Sequence, residues 1–302
     1  MDFIGKRKMF FIISIVAVMI GLLAMPFNAA LGNDILNYDI EFKGGTLMHV
    51  NIGQEFNISD DIKPIVEEVT GDKSPQITKV TGENEVVIKV KETTTDQRKE
   101  LFEQFKAKYN LTDEDQLGVE DMAPTVSGEM KAKAVQAIVL AAVLMLAYIT
   151  IRFKDVYMGT SAVLALIHDV FVVLIVYSVF RVPVNNSFIA VMLTILGYSI
   201  NDTIVILDRI RENKGKAKKT DAEIINMSIT QSLTRTINTS VTTLSVVLLL
   251  FIFGTASVKE FALPLVVGVS VGTYSSIFIA SPIWYELTQK VKNKKRKVAT
   301  AK

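Results

Sequence analysis

Cysteine is absent from the 302 residues. Disulfides and thiolate metal sites are therefore excluded. Only two histidines occur, His49 and His168, which argues against a histidine-built metal centre. No metal, no cofactor and no nucleic-acid partner is expected. The net charge is only +2, and that small sum hides a strong segregation of charge along the chain.

What the chain has in excess is apolar sequence. Half of its residues are hydrophobic and the mean hydropathy is +0.35, which points to a membrane protein. Met1 to Lys8 is short and basic, and Met9 to Phe27 is almost uninterrupted apolar sequence. A signal peptide ending near Asn28-Ala29-Ala30 is one reading of this start. An uncleaved spanning helix is preferred, because the run is long enough to span and further apolar segments follow. Those segments are Ala134–Ile151, Val156–Phe180, Ser187–Leu207, Thr234–Phe253 and Phe261–Leu287. The expected organisation is a cytoplasmic start (1–8), a first span (9–27), a soluble domain (28–133), five spans within 134–287 and a basic tail (288–302).

The soluble stretch reads strand, helix, hairpin, helix, strand. Asp39 to Ile52 is an alternating, β-rich run broken by Gly44-Gly45. Ser59 opens a helix with Ile62, Ile65, Val66 and Val69 on one stripe, ended by Gly71. Gln76 to Lys91 reads as a hairpin turning at Gly82-Glu83-Asn84, with Val86, Ile88 and Val90 on one face. Thr95 is read as the cap of a second helix, and Gln116 to Val126 as the last strand. The order βαββαβ is that of an α+β ferredoxin-like, split βαβ domain.

Basic residues fix the orientation. The N-terminus, the Arg152 loop, the loop from Arg209 to Lys219 and the tail all fall on one side. The soluble domain and the short loops with Arg181 and Lys259 fall on the other. By the positive-inside rule, six spans then place both termini in the cytoplasm and the domain on the exported side of the cytoplasmic (inner) membrane. The tail, with six Lys or Arg between Lys290 and Lys297, reads as an anchor near anionic membrane lipid.

The stretch GYSINDTIVILDRIR, Gly197 to Arg211, places Asp202 inside an apolar run beside Asn201, Ser199 and Thr203. A carboxylate there costs roughly 2.5–3.5 kcal/mol on insertion scales, and such groups have a partner or a function. The fifth segment opens with Arg235 among Thr236, Asn238, Thr239, Ser240, Thr242 and Thr243. Antiparallel neighbours would bring Asp202 and Arg235 to similar depth, and helical spacing groups Ser232, Arg235, Thr239 and Thr242. Arg235 could instead snorkel to headgroups or pair with Asp208, and the hydroxyls could be interhelical glue. His168-Asp169 lies near the middle of the third segment, as a proton-carrying site or a lock between helices. Gly268 and Gly272 form a GxxxG pair for close helix packing, inside the chain or against another subunit.

The sequences DIEFKGGT (Asp39–Thr46), ALIHDV (Ala165–Val170), GYSINDTIVILDRIREN (Gly197–Asn213) and SLTRTINTSVTTL (Ser232–Leu244) resemble the SecF family. That family is the smaller membrane half of the SecD–SecF protein-export complex, in the resistance-nodulation-division superfamily. DIEFKGGT, with Asp39, Glu41, Gly44, Gly45 and Thr46, is the motif of the exported-side domain and is shared in related form with SecD. The resemblance implies proton-motive-force-linked help in translocating and releasing polypeptides, without enzymatic chemistry. It implies SecD as obligate partner, a SecYEG translocon, YajC and YidC as further associates, and the translocating polypeptide as substrate. It also implies that Asp202 and Arg235 are the proton-linked pair, with a third carboxylate supplied by SecD.

Three other readings compete. A small-molecule or lipid exporter of the same superfamily needs two six-span halves, and this chain has one. An intramembrane aspartyl protease using Asp169 and Asp202 would share a proton between them, but neither sits in a Tyr-Asp or Gly-Asp context. A passive scaffold for SecD predicts that neutralising Asp202 is harmless.

Overall fold

The computed structural model describes residues 1–31, 34–80, 82–216 and 219–300. Lys218 of the basic loop lies outside the described residues. Six helices are long and apolar enough to cross a membrane. They comprise α1 (Arg7–Ala30), α5 (Pro124–Phe153), α6 (Val156–Val179), α7 (Asn186–Lys216) and α8 (Asp221–Phe253), with the sixth running from α9 (Ala256–Ser275) through a π-turn (Ser276–Ala280) into α10 (Ser281–Thr300).

Burial divides the six. The apolar windows of α6, α7 and the sixth span are 44%, 50% and 56% buried, against 11% for α1 and α5 and 17% for α8. The first three are therefore the core of the bundle, and the others line its outside. Ile149, Leu166, Leu196, Leu207, Ile225 and Trp284 fill the interior toward one end. Tyr177, Val184, Met192 and Leu265 fill it toward the other.

Contacts identify the two ends. At one, the backbone N–H groups of Phe3 and Ile4 donate to Asn226 Oδ1 at 2.9 and 3.0 Å, and Arg7 pairs with Glu286 at 2.6 Å. Trp284 Nε1 donates to Asp155 Oδ2 at 3.3 Å, and Gln289 to Asp221 Oδ2 at 2.8 Å. The N-terminus, the α5–α6 and α7–α8 turns and α10 thus share an end. At the other, Asn28 Nδ2 donates to the Ser178 carbonyl at 3.1 Å, and Tyr38 forms a parallel β-bridge with Val184.

The sheet domain sits at that second end. A four-stranded antiparallel sheet holds β1 (Gly45–Asn51), β2 (Gln76–Lys79), β3 (Glu85–Val90) and β4 (Gln116–Met122), in the order β2-β3-β1-β4. Helices α3 (Lys63–Thr70) and α4 (Thr95–Tyr109) supply Val66, Leu101, Phe102 and Phe105, and the π-turn Ile58–Ile62 before α3 supplies Ile62, to one core with Met48, Val50, Val86, Ile88 and Val90. Alternate residues of β1 and β3 point into that core, as the period-2 pattern requires.

Three local expectations change. Ile40–Lys43 is a helical turn, α2, rather than strand, because Asp39 caps it by accepting from the Ile40 N–H and Gly44 ends it at φ 84°. The cap of α4 is Thr94, not Thr95: Thr94 accepts from the Gln97 N–H, and Gln97 reaches back in a capping box. The last strand stops at Met122, because Pro124 starts α5 as an N1 proline.

Candidate functional site

Asp202 is on α7 and is only 3% exposed. Its oxygen Oδ2 is shielded and has no hydrogen-bond partner among the described residues. The polar groups that act on this carboxyl come from α8: Thr239, Ser240 and the charge of Arg235. No carboxylate lies within ion-pair distance of Arg235 among the described residues, and Asp208 pairs with Arg211 at 2.7 Å instead. A cleft of about 480 Å³ between α7 and α8 is lined by Asn201, Asp208, Gln231, Ser232 and Arg235. Arg235 thus lines the cleft beside Asn201, the neighbour of Asp202, without forming an ion pair with Asp202.

The face of α8 that packs inward is Ser232, Thr236 and Ser240, at i, i+4 and i+8. This corrects the grouping of Ser232 with Arg235 and Thr242. Gln231, Thr234, Arg235, Asn238, Thr242 and Ser245 are all exposed, and Thr239 lies between the two faces. A polar stripe on the outside of this chain runs along the helix from Gln231 to Ser245, and beyond it the exposed side is apolar.

Asp169, on α6, is wholly buried. Its Oδ2 accepts from Ser199 Oγ at 2.5 Å and Ser275 Oγ at 2.8 Å, and its Oδ1 faces His168 Nδ1 at 3.0 Å. No hydrogen bond joins Asp169 to Asp202, so the two do not form a shared-proton dyad. Next to them, Ser276 Oγ meets Thr203 Oγ1 at 2.8 Å, and Ser240 Oγ meets Thr273 Oγ1 at 2.6 Å. Gly268 and Gly272 face α7: a Cβ at Gly268 would overlap Ile195, and one at Gly272 would lie 2.9 Å from Ser199 Cβ. Ser275, Ser276 and Thr273 went unread in the sequence, although they fall within one turn of Gly272, on the segment already marked for close packing. No cluster of three metal-ligating side chains occurs among the described residues.

The DIEFKGGT stretch joins the sheet domain to the bundle. Asp39 is wholly buried; its Oδ1 caps α2 at 2.7 Å and its Oδ2 accepts from Lys89 Nζ of β3 at 2.5 Å. Glu41 Oε2 accepts from the Asn186 N–H, at the start of α7, at 2.5 Å. Ser127 Oγ of α5 donates to the Ile40 carbonyl at 3.3 Å. Gly45 packs on β3 where a Cβ would overlap the Val90 carbonyl, and Thr46 Oγ1 donates to Asp121 at 2.8 Å. The stretch is thus a joint tying β3 and β4 to α5 and α7. Asp39→Ala removes a cap worth about 1 kcal/mol and leaves Lys89 without its carboxylate. The expected result is faster amide exchange across residues 40–45 in the mutant than in the wild type, with the β2–β3 hairpin less affected, read by hydrogen exchange in bilayer discs. Equal exchange in mutant and wild type would mean that the joint is held elsewhere.

A membrane protein with six membrane-length helices, a polar cleft between two of them and a sheet domain tied to one end of the bundle is the class these observations define. Residues 101–290 match the family described as protein export membrane protein SecD/SecF, C-terminal. The chain is 36% identical to the protein translocase subunit SecF of Petrotoga mobilis over 293 residues, covering 93% of this chain and 94% of that one. It is 38% identical to SecF of Dictyoglomus turgidum over 302 residues, covering 95% and 98%. The crystal structure of SecDF from Thermus thermophilus, a translocon-associated membrane protein, superposes with a TM-score of 0.80 at 33% identity. That match covers 96% of this chain and 39% of the SecDF chain. A super-membrane-facing form of SecDF gives a TM-score of 0.72 at 32% identity. The chain belongs to the SecF family of protein translocase subunits, membrane proteins of Sec-dependent protein transport.

Proposed function

We propose that this chain works with a SecD partner at the SecYEG translocon and uses the proton motive force to help polypeptides across the cytoplasmic membrane and to release them. The observation that carries this is Asp202: a shielded carboxyl with an unpartnered oxygen, beside a polar cleft that holds Arg235. Such a group has two workable states. Ionised, it draws Arg235 and α8 inward; protonated, it needs no cation and releases them. A charge moving through the field gains about 2.3 kcal/mol per 100 mV, enough to bias a motion more than tenfold. His168, Asn201 and Thr239 are supporting polar groups in this reading.

SecD as partner is supported by the outer stripe of α8. Polar side chains in a membrane face a bundle interior or a wet cavity, not lipid. Gln231, Arg235, Asn238, Thr242 and Ser245 face out of this chain, so a second membrane half belongs against them. That the superposed SecDF chain is more than twice as long as the matched region agrees with this. YajC and YidC rest on family resemblance alone.

The basic end of the bundle, with both termini, is read as cytoplasmic by the positive-inside rule. The outer domain is then on the exported side. Its element order and its strand order, with β3 between β1 and β2, support a ferredoxin-like domain. Its joint at Asp39 and Glu41 would carry bundle motion outward.

The test is Asp202→Asn in cells depleted of the native protein, with membrane level and SecD association verified. The expected result is poor export of a signal-bearing protein, with little further loss on adding an uncoupler. Normal, uncoupler-sensitive export would make this subunit a scaffold for a proton path elsewhere.

A further inference from the structure

The Asp202 exchange leaves Asp169 without a task. Three core spans meet at this one carboxylate: α6 carries it, α7 offers Ser199, and the end of α9 offers Ser275. The one titratable group acting on it among the described residues is His168, on its own helix. From α7 and α9 only the two hydroxyls face it, and no charged group of α1, α5 or α10 reaches it. Burying a carboxylate among hydroxyls is costly, and packing alone would be served better by an apolar side chain.

The second observation is in the backbone. Directly after Ser275 the sixth span changes from α to π over Ser276–Ala280. A π-turn interrupts the regular hydrogen-bond ladder, and helices bend and repack at such points. Ser276, its first residue, is held by Thr203 Oγ1 at 2.8 Å and donates toward the Gly272 carbonyl at 2.8 Å or the Ser199 carbonyl at 3.1 Å. Ser275 has a single hydroxyl proton and two acceptors in reach: Asp169 Oδ2 at 2.8 Å and its own Gly272 carbonyl at 3.1 Å.

We propose that Asp169 is a positioning residue, a carboxylate latch that fixes the π-turn of the sixth span against α6 and α7, and that a proton taken up there frees α10 to move. The ionised carboxylate accepts from Ser199 and Ser275 together. When a hydronium ion gives up a proton to it, breaking one of its own O–H bonds and leaving water, an O–H bond forms on Asp169 Oδ2 and that oxygen becomes a donor toward Ser199. It cannot then accept from both serines. The Ser275 hydrogen bond to Asp169 breaks, and its hydroxyl turns to the Gly272 carbonyl. The hydrogen-bonded tie from α6 to the residue before the π-turn is lost, leaving α6 only the apolar packing of Ala165 on Ile279 and Ala280, while the α7 tie through Thr203 and Ser276 remains as a pivot.

The latch rests on the proton-linked reading only for its effect on export, so the test reads α10 itself. Because the chain lacks cysteine, Val156→Cys at the start of α6 and Lys294→Cys on α10 give two spin labels without background. Both positions are exposed. The distance distribution is measured for the full chain in lipid discs at neutral and acid pH. One population is expected at neutral pH, with a second gained on acidification. Asp169→Asn carries the second population already at neutral pH and does not respond to acid. Ser275→Ala, a smaller change that keeps the fold, does the same. Asp202→Asn responds to acid as the wild type does, which separates the latch from the Asp202 exchange. A Ser275→Ala distribution equal to wild type at both pH values overturns the latch, as does an acid response that survives in Asp169→Asn.

Discussion

Arg235→Ala is expected to lower export to the level of cells without the protein, at normal membrane abundance. In the proposed exchange Arg235 is the cation that Asp202 attracts, from a helix whose inward face carries Ser232, Thr236 and Ser240. Removing it leaves the carboxyl with no opposite charge to attract, so one of its two states loses its consequence. The bias that no longer reaches α8 is about 2.3 kcal/mol per 100 mV for each charge that crosses, or roughly fifty-fold in an equilibrium constant. Adding Asp202→Asn to Arg235→Ala should cost nothing further, since residues acting as a unit are not additive. Arg235→Lys restores part of the loss, because it keeps the charge but not the planar fork. Export rates in depleted cells, with SecD association as control, check all three. Full export by Arg235→Ala would mean that the arginine only anchors α8 to headgroups.

Gly272→Leu is expected to prevent the bundle from assembling. A Cβ there meets Ser199 Cβ at 2.9 Å and Ser199 Cα at 3.3 Å, so backbone as well as side chain must give way. Overpacking costs about 1–3 kcal/mol even where side chains can move, and here the neighbour also donates to Asp169. The expected readout is loss of the full-length protein from membranes. Gly272→Ala is the milder probe and should lower thermal stability in detergent while leaving protein in the membrane. Wild-type stability for Gly272→Leu would show that α7 and α9 are farther apart than the geometry requires.

The spans were legible because the bilayer imposes a length and a composition that few other structures share. Asp202 was legible for the same reason: a carboxylate in an apolar run is conspicuous. The orientation of Arg235 was not. Spacing groups residues on a helix face but does not say which face turns inward, and that depends on where α7 and α9 pack. Ile40–Lys43 alternates like a strand; its helical turn is set by the Asp39 cap and the positive φ of Gly44, both decided by the joint with Lys89 and α5. Ser275 and Ser276 look like ordinary small residues of a membrane helix. Their importance comes from a π-turn and from a carboxylate about a hundred residues earlier in the chain, a long-range contact that no local pattern announces.

The measurement that bears most directly on the central claim is the rate of polypeptide release in vesicles holding the translocon, SecD and this chain, under a graded proton motive force. Wild-type rate should rise steeply with the imposed force. Asp202→Asn should give a flat line at the zero-force rate. An Asp202→Asn line with the wild-type slope would contradict the account, and would place the proton path outside this carboxyl group.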